Sequence, residues 1–172
     1  MPGSAAIDGL RFAVRVRVVA KYLGQAFLML AVLTCVPAAV AGFTGNTGVA
    51  LRYLAVILLF AVYGALTARI RVAANMQRNE ALVITALVFT LSGCVMAFPL
   101  MGYGIPFVDA VFEAVSGVTT TGLSTLGNVE GRPIGFLFGR AWMQWVGGLG
   151  IVVLSLAIMI QPGLVAKRHF NT

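Results

Sequence analysis

Four long runs of apolar residues constrain this chain more than any other feature of its sequence. Each run is long enough to cross roughly 30 Å of hydrocarbon as an α-helix. With 60% apolar and only 10% charged residues, the chain lies outside the composition of soluble domains. The sequence therefore predicts an all-α integral membrane protein with four transmembrane helices, at residues 22–43, 49–68, 81–101 and 134–160.

The segment between the third and fourth runs, residues 102–133, suits neither a fifth crossing nor a solvated loop. It contains too much Gly and Thr for a membrane helix, yet it is too apolar for a long loop in water. Irregular backbone at membrane depth persists only where it is buried in protein or lines a polar cavity. We therefore expect a re-entrant helix and loop between transmembrane helices 3 and 4.

The centre of this segment has the sequence Phe-Val-Asp-Ala-Val-Phe-Glu-Ala-Val-Ser-Gly-Val-Thr-Thr-Thr-Gly-Leu, from Phe107 to Leu123. It predicts a short helix that ends at Ser116 and Gly117, with the negative end of its dipole directed inward, where it favours a cation. Backbone carbonyls in the following loop can replace the hydration water of a passing ion. Such Thr-Gly runs also occur in ordinary turns. The candidate filter residues are Thr119, Thr120, Thr121, Gly122 and Leu123.

Three charged residues accompany the predicted filter. Asp109 falls in the first turn of the short helix, where the helix dipole favours a carboxylate. Glu113 follows one turn later on the same side. These carboxylates could attract cations at a pore mouth, or they could stabilise the helix and pair with Arg140. Both interpretations are open at this stage.

The fourth apolar run is rich in glycine and tryptophan near its middle. Trp142 and Trp145 suit a membrane interface. Gly147, Gly148 and Gly150 would let another helix or the filter backbone approach closely, although generic small-residue helix packing explains them equally well.

Basic residues predict the orientation in the membrane. Nine of them fall on one side of an even-numbered topology: Arg11, Arg15, Arg17, Lys21, Arg69, Arg71, Arg78, Lys167 and Arg168. By the positive-inside rule, both termini are cytoplasmic and the Thr-Thr-Thr-Gly loop opens outward. These clusters can contact anionic membrane lipid. The isoelectric point near 10.3 therefore requires no nucleic-acid partner.

The predicted organisation has four parts. They are a basic cytoplasmic N-terminus (1–21), a helix pair (22–79), a helix, pore-loop, helix repeat (80–161) and a cytoplasmic tail that stops early (162–172). A signal peptide cleaved near Ala39-Val40-Ala41 is an alternative for the first run, and it would leave the remaining topology unchanged.

The sequence offers no catalytic or metal-binding constellation. Cys35 and Cys94 stand alone in apolar runs and are interpreted as buried small hydrophobic residues. His169 lies in the basic tail without potential ligands nearby. No nucleophile and base pair, zinc spacing or phosphate-binding loop occurs, so we expect neither an enzyme nor a covalently bound cofactor.

Two stretches closely resemble the Trk/Ktr/HKT superfamily of potassium transporters. They are Asp109-Ala-Val-Phe-Glu-Ala-Val-Ser-Gly-Val-Thr-Thr-Thr-Gly122 and Arg140-Ala-Trp-Met-Gln-Trp-Val-Gly-Gly-Leu-Gly-Ile151. That family builds its pore from four helix, pore-loop, helix repeats, often after an extra helix pair. The first two runs resemble the extra pair, and residues 81–160 resemble the first repeat.

The resemblance implies a function. It implies potassium as the transported ion, at Thr119 to Gly122, because glycine at the position of Gly122 accompanies potassium preference in the family. It also implies a bacterial inner-membrane location, homo-oligomers and a cytoplasmic nucleotide-binding regulatory subunit. No nucleotide motif occurs in this chain, so such control would be external.

Length is the chief departure from the family, because only one pore repeat is present. Three explanations are open: a fragment of a longer transporter, which we favour, one product of a split gene, or a subunit that assembles with identical copies. The alternative function is a non-conducting assembly or regulatory subunit that retains the pore-loop architecture.

Overall fold

The computed structural model describes residues 14–72 and 76–159. This part of the chain is helical and contains no strand. Its helices are α1 (Val16–Phe43), α2 (Thr47–Ala68), α3 (Arg78–Met101), α4 (Phe107–Val118) and α5 (Ile134–Met159).

Four of these helices, α1, α2, α3 and α5, are long and apolar enough to cross a membrane, which confirms the four predicted spans. The main difference is at α1, which begins at Val16 rather than at residue 22. Basic residues end a hydrophobic run but can continue a helix into the interface, since long cationic side chains reach water there. The predicted end of the last span at Ile160 lies outside the described residues, as do the tail and His169.

The long helices alternate in direction. At one end of the molecule, Arg15 before α1 contacts Glu80 in the first turn of α3. At the other end, a Cβ on Gly135 of α5 would meet the hydroxyls of Thr44 and Tyr103, which follow α1 and α3. Successive long helices therefore run in opposite directions, as four crossings require.

The first two helices form a closely packed hairpin. A Cβ added to Gly24 would collide with Thr67, and one added to Gly64 would collide with Leu28. The rings of Phe27 and Phe60 lie 4.8 Å apart between the helices. Nothing in the sequence indicated a role for Gly24 or Gly64, so these contacts were not predicted.

The prediction that both cysteines are buried was wrong. Cys35 and Cys94 are exposed on the surface of this chain. In a membrane protein, the surface that faces lipid is as apolar as the core, so an apolar run does not reveal which side of a helix is buried.

Helix α4 is too short to cross a membrane, because its 12 residues span about 18 Å. It packs between α3 and α5. A Cβ on Gly93, within α3, would lie 3.0 Å from Val115. The last residue of α4, Val118, lies against Gly147 near the middle of α5.

Candidate functional site

The chain reverses direction in a tight turn at the end of α4. Thr120 N–H donates to Gly117 O at 3.0 Å, and Gly122 N–H donates to Ser116 O at 3.3 Å. Gly122 has a φ of 76°, in the left-handed region where glycine avoids the steric cost of a Cβ. The turn thus depends on glycine at this position.

Thr120 adopts the same region, with a φ of 60°. Such an angle is rare for a β-branched residue and stores strain. No feature of a Thr-Thr-Thr run indicates which threonine takes this conformation, so the sequence did not predict it.

The hydroxyls of the turn bond within the chain. Thr119 Oγ1 donates to Val115 O at 2.7 Å and lies 2.8 Å from Thr121 Oγ1. In contrast, the backbone carbonyls of Thr119, Thr120 and Thr121 accept no hydrogen bond from the described residues. Because Thr120 and Thr121 are exposed on this chain, the turn presents free carbonyl groups on an open surface.

Arg140, on the second turn of α5, holds the next two carbonyls. Its Nη2 donates to Gly122 O at 3.1 Å and to Leu123 O at 2.7 Å. Ser116 Oγ also donates to Leu123 O, at 2.6 Å. The two acceptor positions of the Leu123 carbonyl are therefore both used within the chain.

Glu113, on α4, forms an ion pair with the same arginine. Its carboxylate is fully buried and accepts a 2.7 Å bond from Arg140 Nε, which forms an ion pair. It also accepts bonds from Ser124 Oγ at 2.5 Å and from the Thr125 N–H at 2.9 Å. Of the two interpretations left open for Glu113, this geometry matches pairing with Arg140 and structural support of the loop.

Asp109 is placed differently. It lies in the first turn of α4, as expected, and is partly exposed. It forms no ion pair with any described residue. Asp109 thus lies at the N-terminal end of α4 without an ion-pair partner among the described residues, four residues before the buried Glu113.

The three glycines of α5 that follow Trp145 contribute unequally. A Cβ on Gly147 would collide with the carbonyl group of Val118, so the end of α4 approaches α5 as closely as glycine permits. A Cβ on Gly148 would make an ordinary contact with Thr120 at 3.5 Å, and one on Gly150 would lie 3.8 Å from Phe89. Only Gly147 is required for close approach to the turn.

Glu113, Arg140 and the residues Thr119 to Leu123 were predicted from the sequence as parts of this site. Ser124 and the backbone N–H of Thr125 were not predicted. Both lie 11 or 12 residues from Glu113, in an irregular loop. Serine and threonine are common in any loop, so their residue types carry no signal of this role.

The sequence also matches a known family. Residues 49–169 match the family model for TrkH, described as a cation transport protein, over more than half of the chain. The chain belongs to the TrkH family. This confirms the resemblance inferred from the two sequence stretches, and TrkH-family proteins are transporters rather than enzymes.

Relatives of this TrkH-family chain carry related names. An uncharacterised cation transporter of Methanocaldococcus jannaschii is 34% identical over 153 residues, which cover 87% of this chain. The Trk system potassium uptake protein TrkH of Escherichia coli is 40% identical over 88 residues, or 49% of this chain. TrkG of the same organism is 30% identical over 101 residues, or 57% of this chain.

This TrkH-family chain spans only part of those relatives. The matched region amounts to 32% of the archaeal transporter, 18% of E. coli TrkH and 21% of TrkG.

Proposed function

We propose that this chain contributes one quarter of a potassium-selective pore, with α4 as a re-entrant pore helix and Thr119 to Gly122 as its share of the filter. The proposal combines membership of a cation-transport family with the geometry after α4. Its domain assignment is the one expected from sequence: a helix pair at residues 22–79 and a pore repeat at 80–161, flanked by cytoplasmic segments at 1–21 and 162–172.

The main observation behind this proposal is a set of backbone carbonyl groups without a hydrogen-bond donor. The carbonyls of Thr119, Thr120 and Thr121 have no donor among the described residues, whereas those of Gly122 and Leu123 are held by Arg140. A dehydrating cation needs oxygen ligands to replace its water, and free carbonyls on an exposed turn can supply them. Permeation would be passive, with potassium as the transported ion.

The hydrogen bonds reduce the number of candidate ion ligands in the filter. Leu123 O already accepts two hydrogen bonds and has no free position for an ion, so we assign Leu123 a supporting role. Gly122 O accepts one bond and keeps one acceptor position. The ion ligands in this proposal are therefore the carbonyls of Thr119, Thr120, Thr121 and Gly122.

The re-entrant position of α4 is supported by its contacts. A connection of five residues separates α3 from α4, and α4 ends against Gly147, near the middle of the membrane-span candidate α5. If α5 crosses the bilayer, Val118 lies close to its mid-plane. The negative end of the α4 dipole would then favour a cation beside the turn.

The remaining filter segments would come from elsewhere. A closed ring of four requires three more pore loops, from a longer transporter or from identical copies in a homo-oligomer. We favour the longer transporter, because the matched relatives are nearly three times as long as this chain. A cytoplasmic nucleotide-binding regulatory subunit, a bacterial inner-membrane location and cytoplasmic termini complete the proposal.

The alternative, a non-conducting subunit with the same architecture, is less well supported. An assembly role alone would not require unpartnered carbonyls beside a turn that an ion pair holds in place. It nevertheless makes a different prediction, namely partner binding without flux.

Flux measurements test the proposal. The purified chain is reconstituted in liposomes, and potassium and sodium uptake are compared with those of Gly122→Ser. Selective flux that the substitution reduces would establish a pore assembled from identical copies. Flux that appears only when the remaining repeats are supplied would establish a segment of a longer transporter, and equal potassium and sodium flux in every folded assembly would refute a potassium filter.

A further inference from the structure

An apolar cavity of about 300 Å³ lies between α1, α3 and α5, behind the contact of Val118 with Gly147, and none of the residues Thr119 to Gly122 lines it. Its opening is flanked by Met29 on α1 and by Leu149 and Val153 on α5, each more than half exposed. Its inner wall includes Met143 and Val118, both buried. The cavity therefore leads from the surface of the chain to the last residue of α4.

The polar side chains in the wall are already satisfied. Thr34 Oγ1 donates to Leu30 O at 2.6 Å, and Ser92 Oγ donates to Val88 O at 2.5 Å. Trp142 Nε1, at the same wall, donates to a backbone carbonyl of α1 at 3.0 Å. A water molecule in a cavity needs two to four polar partners, which these groups do not offer. The cavity thus suits an apolar occupant.

The depth of the opening identifies the surrounding medium. Met29 is the fourteenth residue of the 28-residue helix α1, and Leu149 is the sixteenth of the 26-residue helix α5. Both helices are membrane-span candidates. Positions near their middle lie at the level of the lipid acyl chains rather than of the headgroups.

The form of the opening suits an acyl chain. The cavity of about 300 Å³ opens between Met29 on α1 and Leu149 on α5. A single acyl chain is thin and flexible enough to enter from the side.

We propose that this cavity binds an acyl chain of a membrane lipid, in contact with Val118 at the base of the turn after α4. Gly147 also lines the cavity and packs against the Val118 carbonyl, so the occupant fills the space behind this contact. The site is separate from the proposed filter and does not depend on potassium conduction.

Fluorescence quenching tests the site in the whole chain. The chain has two tryptophans, so Trp145→Phe leaves Trp142, in the cavity wall, as the only tryptophan, and its fluorescence is excited selectively. This parent is reconstituted in phosphatidylcholine whose acyl chains are either unsubstituted or brominated at mid-chain. We expect the brominated lipid to quench Trp142.

Two cavity-filling variants decide the result. Ala26→Phe and Gly150→Phe each add a ring at a position that lines the cavity, on opposite helices, so one remains informative if the other does not fold. Ala55→Phe adds the same ring on the exposed surface of α2, away from the cavity, as the matched control. Helical content by circular dichroism verifies folding.

We expect both filling variants to lose most of the quenching and Ala55→Phe to retain it. Undiminished quenching in a folded filling variant would mean that Trp142 meets bromine outside the cavity, and it would overturn the proposal. Absence of quenching in the parent would also overturn it, because another protein segment or a second copy would then close the opening.

Discussion

Nη2 of Arg140 lies 2.7 Å from the carbonyl oxygen of Leu123, while Nε of the same guanidinium lies 2.7 Å from the buried carboxylate of Glu113. One arginine on α5 therefore joins α4 to the loop that follows it. The planar guanidinium offers several donors in fixed directions, which a lysine cannot reproduce. The geometry of the turn is thus tied to an ion pair that is itself removed from solvent.

Removing this arginine should destabilise the chain strongly. Arg140→Ala leaves Glu113 buried without its partner, and we expect the free energy of unfolding to fall by about 3–5 kcal/mol. Chemical unfolding in detergent, followed by circular dichroism, measures the change. Arg132→Ala is the control, because Arg132 forms no ion pair with a described residue. Equal losses in the two variants would contradict this account.

The buried charge can be tested separately. Adding Glu113→Gln to Arg140→Ala removes the unpaired carboxylate, so the double variant should be more stable than Arg140→Ala alone. A double variant whose loss equals the sum of the two single losses would show that the residues act independently.

Two neighbouring glycines should respond differently to a single methyl group. Gly147→Ala forces the end of α4 away from α5, because the new Cβ would collide with the Val118 carbonyl group, and we expect a loss of about 1–3 kcal/mol. Gly148→Ala makes only an ordinary contact with Thr120 and should be nearly neutral. Unfolding curves of the two variants measured side by side provide the comparison. Similar stabilities would contradict the close approach at Gly147.

Strain at Thr120 should be relieved by glycine. Thr120→Gly removes the Cβ from a left-handed residue, whereas Thr121→Gly removes a hydroxyl that contacts Thr119. Both variants gain similar freedom in the unfolded chain. We therefore expect Thr120→Gly to be more stable than Thr121→Gly by about 1 kcal/mol, as measured by thermal unfolding, and the reverse order would show that Thr120 is unstrained.

A second ion pair, between Arg15 and Glu80, joins the N-terminal end of α1 to the N-terminal end of α3. The fully buried Glu80 accepts bonds from the backbone N–H, Nε and Nη2 of Arg15 and from the Gln77 N–H. Arg15→Ala should lower the free energy of unfolding, because hydrogen bonds to a charged group are lost. The exposed Arg17 serves as control in the same unfolding assay, and an equal effect of Arg17→Ala would exclude a specific role for the pair.

Hydrophobic patterning predicted the coarse architecture well, for a physical reason. Crossing the hydrocarbon requires about 20 apolar residues whatever the tertiary packing, so the spans that became α1, α2, α3 and α5 were visible in the sequence. The short helix at Phe107 was also predictable, since glycine and threonine end the apolar pattern after it. The sequence did not reveal which side of each helix is buried in the protein, and Cys35 is an example. Apolar residues face both the lipid and the protein core, so the residue type does not distinguish the two.

The details of the site depended on contacts between distant residues. Glu113 and Arg140 were recognised as a possible pair from their charge within an apolar setting. The bonds from Ser124 and Arg140 to their partners were hidden, because loop geometry decides which hydroxyl or carbonyl is reached. Likewise, Gly122 was expected to need special backbone angles, whereas Thr120 carried no such signal.

The filter assignment can be examined in a complete pore by measuring its ion selectivity. A segment of this chain that includes α4, the turn after it and α5 can replace its counterpart in E. coli TrkH, which is 40% identical over 88 residues. Potassium and sodium uptake can then be measured in cells that lack other potassium uptake systems. We predict that the chimera takes up potassium in preference to sodium and that Gly122→Ser in the chimera lowers this preference while membrane expression is unchanged. An identical potassium-to-sodium ratio in the conducting chimera and its serine variant would contradict the assignment of Thr119 to Gly122 as a filter.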